Sequence, residues 1–258
     1  MPIFLDAVMG AVQYRNFGLT IAGMIVTALA LVLALLSPPA SAVNPCVDLH
    51  IVGVRGSGQS VGYGDQTGGV VDALETALIG RGFSVTSKPL NYPAISVSDS
   101  LGLVLLTGAY DASVSAGADA LRATLDATEP ACPSTEFVLV GYSQGAQVIK
   151  NTLANVQPSV RIAGVVLLAD PTRDATQRGI VRLGDPLAER DGAFGAIALP
   201  HHVSAVAVDV CAAGDGVCER GRQGFTAHVD GYDTAPELVV PVVLAELDSR
   251  ARFSYLPR

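Results

Sequence analysis

Apolar residues along this chain follow two alternating rhythms. Short, nearly continuous runs recur at residues 49–54 (LHIVGV), 84–90, 137–141 (FVLVG), 162–168 (IAGVVLL) and 203–210 (VSAVAVDV), each of strand length. Between them, apolar positions three and four apart mark helices. One runs over 67–79 with Val70, Val71, Leu74 and Leu78 on one face, and a second over 111–126 with Leu121 and Leu125. A third starts at Ala146 and carries Val148, Ile149, Leu153 and Val156, and a last one covers 235–251. Strands that are apolar on both sides, alternating with helices, predict an α/β fold with a parallel sheet covered on both faces. Two stretches fit this rhythm less well. Residues 101–106 (LGLVLL) are either a turn of core helix or the wall of an apolar cleft, and residues 171–200, rich in Gly, Arg and Asp, read as a surface excursion.

The 258 residues, half of them hydrophobic, suffice for one substantial core, so a single domain over 43–258 is expected. The net charge of -8 and the scattered basic residues exclude nucleic acid as a partner class. The N-terminus lies outside this fold. Arg15 precedes an uncharged apolar stretch at 17–36, followed by Ser37-Pro38-Pro39 and then Ala40-Ser41-Ala42, an A-x-A site. Residues 1–42 therefore read as a secretory signal cleaved after Ala42, with a retained membrane anchor as the alternative. Export changes the meaning of the cysteines. Cys46, Cys132, Cys211 and Cys218 all follow the cleavage site, and an even count in an exported chain suggests two disulfides. Three connectivities can join them; Cys211 and Cys218 are nearest in sequence, and pairing these two leaves Cys46 with Cys132. With no C-x-x-C spacing and no histidine near a cysteine cluster, no metal site is expected.

The candidate chemistry sits between the third strand and its helix. Gly141-Tyr142-Ser143-Gln144-Gly145 is G-x-S-x-G, in the strand, sharp turn and helix context that this motif requires. Glycines on either side of a strained turn let the backbone fold back and expose the Ser143 hydroxyl. A serine is a weak nucleophile near neutral pH, so a base must stand within hydrogen-bond reach, with an acid to orient it. His50 lies inside the first strand and reads as structural, while His201 and His202 precede the fifth strand at the wrong end of the sheet. His228, in a loop before the last helix, fits the Ser, acid, His order of α/β hydrolases. For the acid, Asp215 is framed by Cys211 and Cys218, and Asp170 competes from the carboxyl end of the strand at 162–168. Asp209, Asp230 and Asp233 are weaker candidates.

Together, G-Y-S-Q-G at 141–145, C-x-x-x-D-x-x-C at 211–218 and A-H-x-x-x-Y at 227–232 resemble the cutinase family. Asp48-Leu49 after Cys46, Arg55-Gly56-Ser57 after the first strand and Asn91-Tyr92-Pro93-Ala94 after the second support the resemblance. It covers the mature chain from Cys46 and is nearest to the secreted cutinase-like esterases of mycobacteria and other actinobacteria. The resemblance implies a lidless α/β hydrolase with a five-stranded parallel core, acting without a cofactor and as a monomer. It implies Ser143 as nucleophile, His228 as general base and acid, and Asp215 as the orienting carboxylate. It further implies an oxyanion hole from Ser57 and the Gln144 N–H, and disulfides Cys46–Cys132 and Cys211–Cys218. Two departures carry expectations of their own. The polar run Glu219 to Gly224 beside the histidine points to a soluble or amphiphilic lipid ester rather than a waxy polymer, and Gly58-Gln59-Ser60 implies a looser oxyanion loop.

These readings converge on a secreted carboxylic ester hydrolase for short to medium acyl esters or lipid esters. Deacetylation of polysaccharides such as acetylated xylan is the first alternative. A membrane-anchored or wall-associated protein, either an acyltransferase or without catalysis, is the second; the intact Ser143, Asp215 and His228 set argues against a purely binding role.

Overall fold

The computed structural model describes residues 46–97, 101–155, 159–185, 189–204, 206–221 and 224–254; the proposed leader lies outside the described residues. Strands β1 (Leu49–Val54), β2 (Val85–Pro89), β3 (Glu136–Tyr142), β4 (Ile162–Leu168), β5 (Val181–Gly184) and β6 (Ala207–Cys211) form one sheet in the order β2-β1-β3-β4-β6-β5. Every pairing is parallel. The expected five strands become six through β5, a four-residue edge strand inside the stretch read as a surface excursion. Its side chains are mostly exposed, so it left no apolar run to read.

Helices α1 (Asp65–Gly80), α2 (Leu101–Leu106), α3 (Ala109–Ala131), α4 (Gln144–Leu153), α5 (His201–Ser204), α6 (Phe225–Asp230) and α7 (Ala235–Ser254) complete the described elements. The strand alternation explains why both faces are covered. Leu49, Ile51, Val138, Val140, Val166 and Leu168 point to one side, where Val70, Val71, Leu74 and Leu78 of α1 meet Val239 and Val243 of α7. Val52, Val54, Phe137, Leu139, Val165 and Leu167 point to the other, against Leu121 and Leu125 of α3 and Val148, Ile149 and Leu153 of α4. Burying each such Leu or Val contributes about 1.5–3 kcal/mol, so the two layers dominate the stability.

Three local expectations are corrected. The run at 203–210 is not one strand: Val203 donates its N–H to Pro200 O and forms part of α5, and the strand starts only at Ala207. Val203 is fully buried, so its apolar character belongs to the core and not to a strand. The LGLVLL segment is a helix, yet Leu103 and Leu106 are 62% and 88% exposed, which excludes a core turn. Among the described residues it also does not line the cleft discussed below.

Candidate active site

Parallel strands deliver their carboxyl ends to one edge of the sheet, and the connections after β1, β3 and β6 meet there. Ser143 lies between β3 and α4 with φ 53° and ψ −118°, a conformation that costs a non-glycine residue roughly 1–3 kcal/mol. The flanking glycines are sterically required. A Cβ on Gly145 would stand 2.1 Å from Val54 O, and one on Gly141 would stand 2.7 Å from the Gly145 carbonyl carbon and oxygen. The Ser143 N–H donates to Leu168 O at 2.8 Å, which pins the turn to the neighbouring strand.

His228 Nε2 lies 3.0 Å from Ser143 Oγ, and His228 Nδ1 lies 3.0 Å from Asp215 Oδ2. A carboxylate can only accept, so Nδ1 carries the proton toward Asp215 and Nε2 is left to accept from the serine hydroxyl. All three residues are buried, Asp215 completely, so their mutual attraction is weakly screened. The Asp215 carboxylate accepts from two further donors: Val217 N–H to Oδ1 at 2.7 Å and the Tyr232 hydroxyl to Oδ2 at 2.5 Å. Burial, then the nearby Asp215 charge, pushes the Tyr232 phenol well above its ordinary value. The disulfide Cys211–Cys218 closes the loop around Asp215, and Cys46–Cys132 joins the start of the described chain to the end of α3.

The histidine sits on α6, a short helix where the sequence suggested a loop. A six-residue helix leaves its last carbonyls without internal partners, and side chains supply them. The Tyr142 hydroxyl donates to His228 O at 2.6 Å and the Gln66 amide donates to Val229 O at 2.7 Å. The Tyr142 ring also stacks on the imidazole, with centroids 5.1 Å apart and planes 24° apart. Tyr142, Tyr232 and Gln66 are the site residues that sequence reasoning missed; the first two lie within motifs already singled out, whereas nothing flags Gln66.

The competing residues go elsewhere. Asp170 is buried, bonded to Lys150 Nζ at 2.8 Å and to the N–H and hydroxyl of Thr172, both at 2.8 Å. Asp209 pairs with Arg173 at 2.6 Å, and Asp230 and Asp233 are exposed. His50 is buried beside Phe137, and burial, with the Lys88 charge adding to it, pulls its imidazole below the usual value. His201 and His202 are on α5.

Ser143 and His228 open into a cleft of about 270 Å³ that is bordered by Ser57, Gln59, Gln66, Val97, Phe225 and Val229. Phe225 and Val229 are 62% and 43% exposed, so the histidine's own helix supplies the apolar rim. Glu219, counted in the polar run beside the histidine, is buried instead. A larger cavity of about 390 Å³ under α7 is lined by Ala163, Val181 and Ala207 at the amino ends of β4, β5 and β6, the opposite end of the sheet.

A parallel sheet with a strained serine between strand and helix, and with a histidine and a carboxylate arriving after the last paired strand, defines an α/β hydrolase. The chain belongs to the cutinase family, whose family model matches residues 45–239. It is 38% identical over 155 residues to Carboxylesterase Culp1 of Mycobacterium tuberculosis, a match covering 59% of this chain and 65% of that protein. The chain thus spans just under two thirds of the length of these mycobacterial relatives. It is 31% identical over 206 residues to a cutinase of Hypocrea jecorina, covering 78% of this chain and 69% of the relative. The catalytic core of an acetyl xylan esterase from Trichoderma reesei shares the fold with a TM-score of 0.60 at 23% identity, over 78% of this chain and 99% of that one.

Proposed function

We propose that this chain is an exported carboxylic ester hydrolase acting on short to medium acyl esters or lipid esters through an acyl-enzyme. The observation that carries the reading is the hydrogen-bonded line from Ser143 Oγ through His228 to Asp215, opening into a cleft with one apolar rim. Ser143 Oγ attacks the ester carbonyl carbon as its proton passes to His228 Nε2, and Asp215 stabilises the resulting imidazolium. The tetrahedral oxyanion is received by Ser57 and by the N–H of Gln144, the first residue of α4, which has no acceptor within its own helix. His228 returns the proton to the departing alcohol. Water, activated by the same imidazole, then releases the acid and restores the serine.

The chemistry needs no metal or cofactor. The relatives named for carboxylesterase and cutinase activity, the two disulfides and the apolar leader over 17–36 support an exported esterase. No described helix is long and apolar enough to cross a membrane. A second reading, deacetylation of polysaccharides, is favoured by the polar side of the cleft, where Gln59, Asp65 and Gln66 face the apolar rim.

The test is hydrolysis of a p-nitrophenyl ester series, acetate through palmitate. Ser143→Ala should abolish the rate, and Asp215→Asn should lower kcat by about four orders of magnitude with folding retained. Asp170→Asn breaks a buried ion pair and should instead cost about 3 kcal/mol of stability. A preference confined to acetate selects the deacetylase. Near-normal turnover by Asp215→Asn removes the assignment of the acid.

A further inference from the structure

Two glutamines span the mouth of the cleft. Gln59 lies two residues beyond Ser57, and Gln66 is the second residue of α1. The Gly56 N–H donates to Gln59 Oε1 at 2.6 Å, Gln59 Nε2 donates to Gln66 Oε1 at 2.6 Å, and Gln66 Nε2 donates to Val229 O at 2.7 Å. This line of three bonds has one direction. It starts on a main-chain N–H and ends on a main-chain carbonyl, so each amide has a single orientation that satisfies both of its neighbours.

The ends of the line are the two sides of the site. Gly56 directly precedes Ser57, and Val229 directly follows His228. The loop is braced from behind as well: the buried Arg55 donates through Nε to Gln59 O at 3.2 Å and through its guanidinium to Leu90 O and Tyr92 O. Space for the first amide exists because residue 64 is glycine, at φ 70°, where a Cβ would stand 2.3 Å from Gln59 Oε1. The looser loop expected from Gly58-Gln59-Ser60 is therefore absent, because Gln59 itself ties the loop down.

We propose that Gln59 and Gln66 are positioning residues: a side-chain strap that holds the Ser57 loop and the His228 helix at a fixed separation. The inference rests on the esterase reading, in which Ser57 receives the oxyanion and His228 relays the proton. Both must address one tetrahedral centre within about half an ångström, and a misplacement near 1 Å lowers turnover by about a hundredfold. The two groups arrive from connections more than 160 residues apart, after β1 and after β6, and the sheet alone does not link them. The strap does.

The test uses the full chain, with Gln59→Leu, Gln66→Leu, the double variant and the isosteric Gln66→Glu, which replaces the terminal donor with an acceptor. Each should fold with a melting point near that of the parent, since both side chains are half-buried. On p-nitrophenyl butyrate, each single variant should lower kcat about tenfold with KM within about twofold of the parent. The double variant should be no slower than the slower single, as expected for two parts of one device. Gln66→Leu should also speed hydrogen exchange at the Gly56 amide several-fold, although it changes no group bonded to that amide. Unchanged kcat, a raised KM alone, or losses that multiply in the double variant would overturn the strap. If the parent shows no esterase activity, the functional reading fails and the exchange measurement decides alone: faster exchange at Gly56 upholds the strap, unchanged exchange refutes it.

Discussion

The serine and its two partners are held by different kinds of structure. Ser143 is fixed by main chain: the end of a central strand, the start of a helix, a hydrogen bond to Leu168 O and two glycines pressed against neighbouring backbone. His228 and Asp215 lie beyond the last strand, on a short helix and a turn that no sheet bond reaches. Apart from local turn bonds such as Val217 N–H to Asp215 Oδ1, they are held by side chains and a covalent bond: Tyr142 and Gln66 on the helix carbonyls, Tyr232 on the carboxylate, and Cys211–Cys218 around the turn. Main chain that belongs to the core shares the cooperativity of the core. Side-chain fastenings can be lost one at a time, so damage to the two regions should differ in kind.

Gly145→Ala is the change that breaks the first region. Its Cβ would lie 2.1 Å from Val54 O, 2.6 Å from Arg55 O and 2.7 Å from Val54 C, all main-chain atoms of β1 and the residue after it. Relief requires moving a central strand, so a loss of about 3 kcal/mol is expected, near a 10 °C fall in melting temperature, together with loss of turnover. A folded variant of parental stability and activity would show that the elbow is more compliant than its contacts imply.

The same division governs what could be read from sequence. The strand over 162–168, the helix face of Val70, Val71, Leu74 and Leu78, and the serine elbow were legible because each is a local apolar pattern or a steric requirement on glycine. The strand β5 was not, because an exposed edge strand carries no burial signal. The helix at 201–204 was misread because Val203 is buried in a helical turn as deeply as it would be in a strand. Asp215 and Asp170 could not be separated by position alone; the structure separates them through Lys150, a buried cation twenty residues earlier that occupies Asp170. Gln66 was invisible, since a glutamine bonded across 163 residues leaves no mark on its neighbours in sequence.

The two disulfides give the comparison a crossover. Cys46–Cys132 closes 86 residues and Cys211–Cys218 closes seven, so loop-closure entropy assigns them roughly 4.5 and 2.5 kcal/mol. The long loop contains Ser57, but β1 and the sheet hold that segment, whereas the short loop tightly brackets Asp215 beyond the last strand. Replacing Cys46 and Cys132 by serine should therefore destabilise more, by about 2 kcal/mol, while leaving kcat of the folded fraction near that of the parent. Replacing Cys211 and Cys218 should destabilise less and lower kcat by roughly tenfold or more, through freedom gained by Asp215. Denaturant midpoints and kcat for the two pairs decide it. The same rank order in both measurements would mean that the Asp215 turn does not depend on its bridge.

Tyr232→Phe removes one hydroxyl, which donates to Asp215 Oδ2 and accepts the Ala212 N–H at 3.2 Å, and leaves the disulfide and the sheet intact, so its effect should be the smallest. Turnover is expected to fall about tenfold through loss of the hydroxyl donor to Asp215 Oδ2, with the melting temperature lowered by a few degrees. Its clearest sign is at alkaline pH. The folded protein keeps this phenol neutral at a pH where the unfolded chain has released the proton, because burial, and after it the Asp215 charge, raises the folded-state value well above 10.0. The stability that Tyr232 contributes is therefore complete below about pH 10 and is lost as pH rises toward the folded-state value. Above pH 10 the parent should lose stability more steeply than Tyr232→Phe, by up to about 1.4 kcal/mol per pH unit, the weight of one proton. Urea midpoints for both proteins between pH 9 and 11 make the comparison, and parallel curves would place the Tyr232 hydroxyl outside the buried line that ends at Ser143.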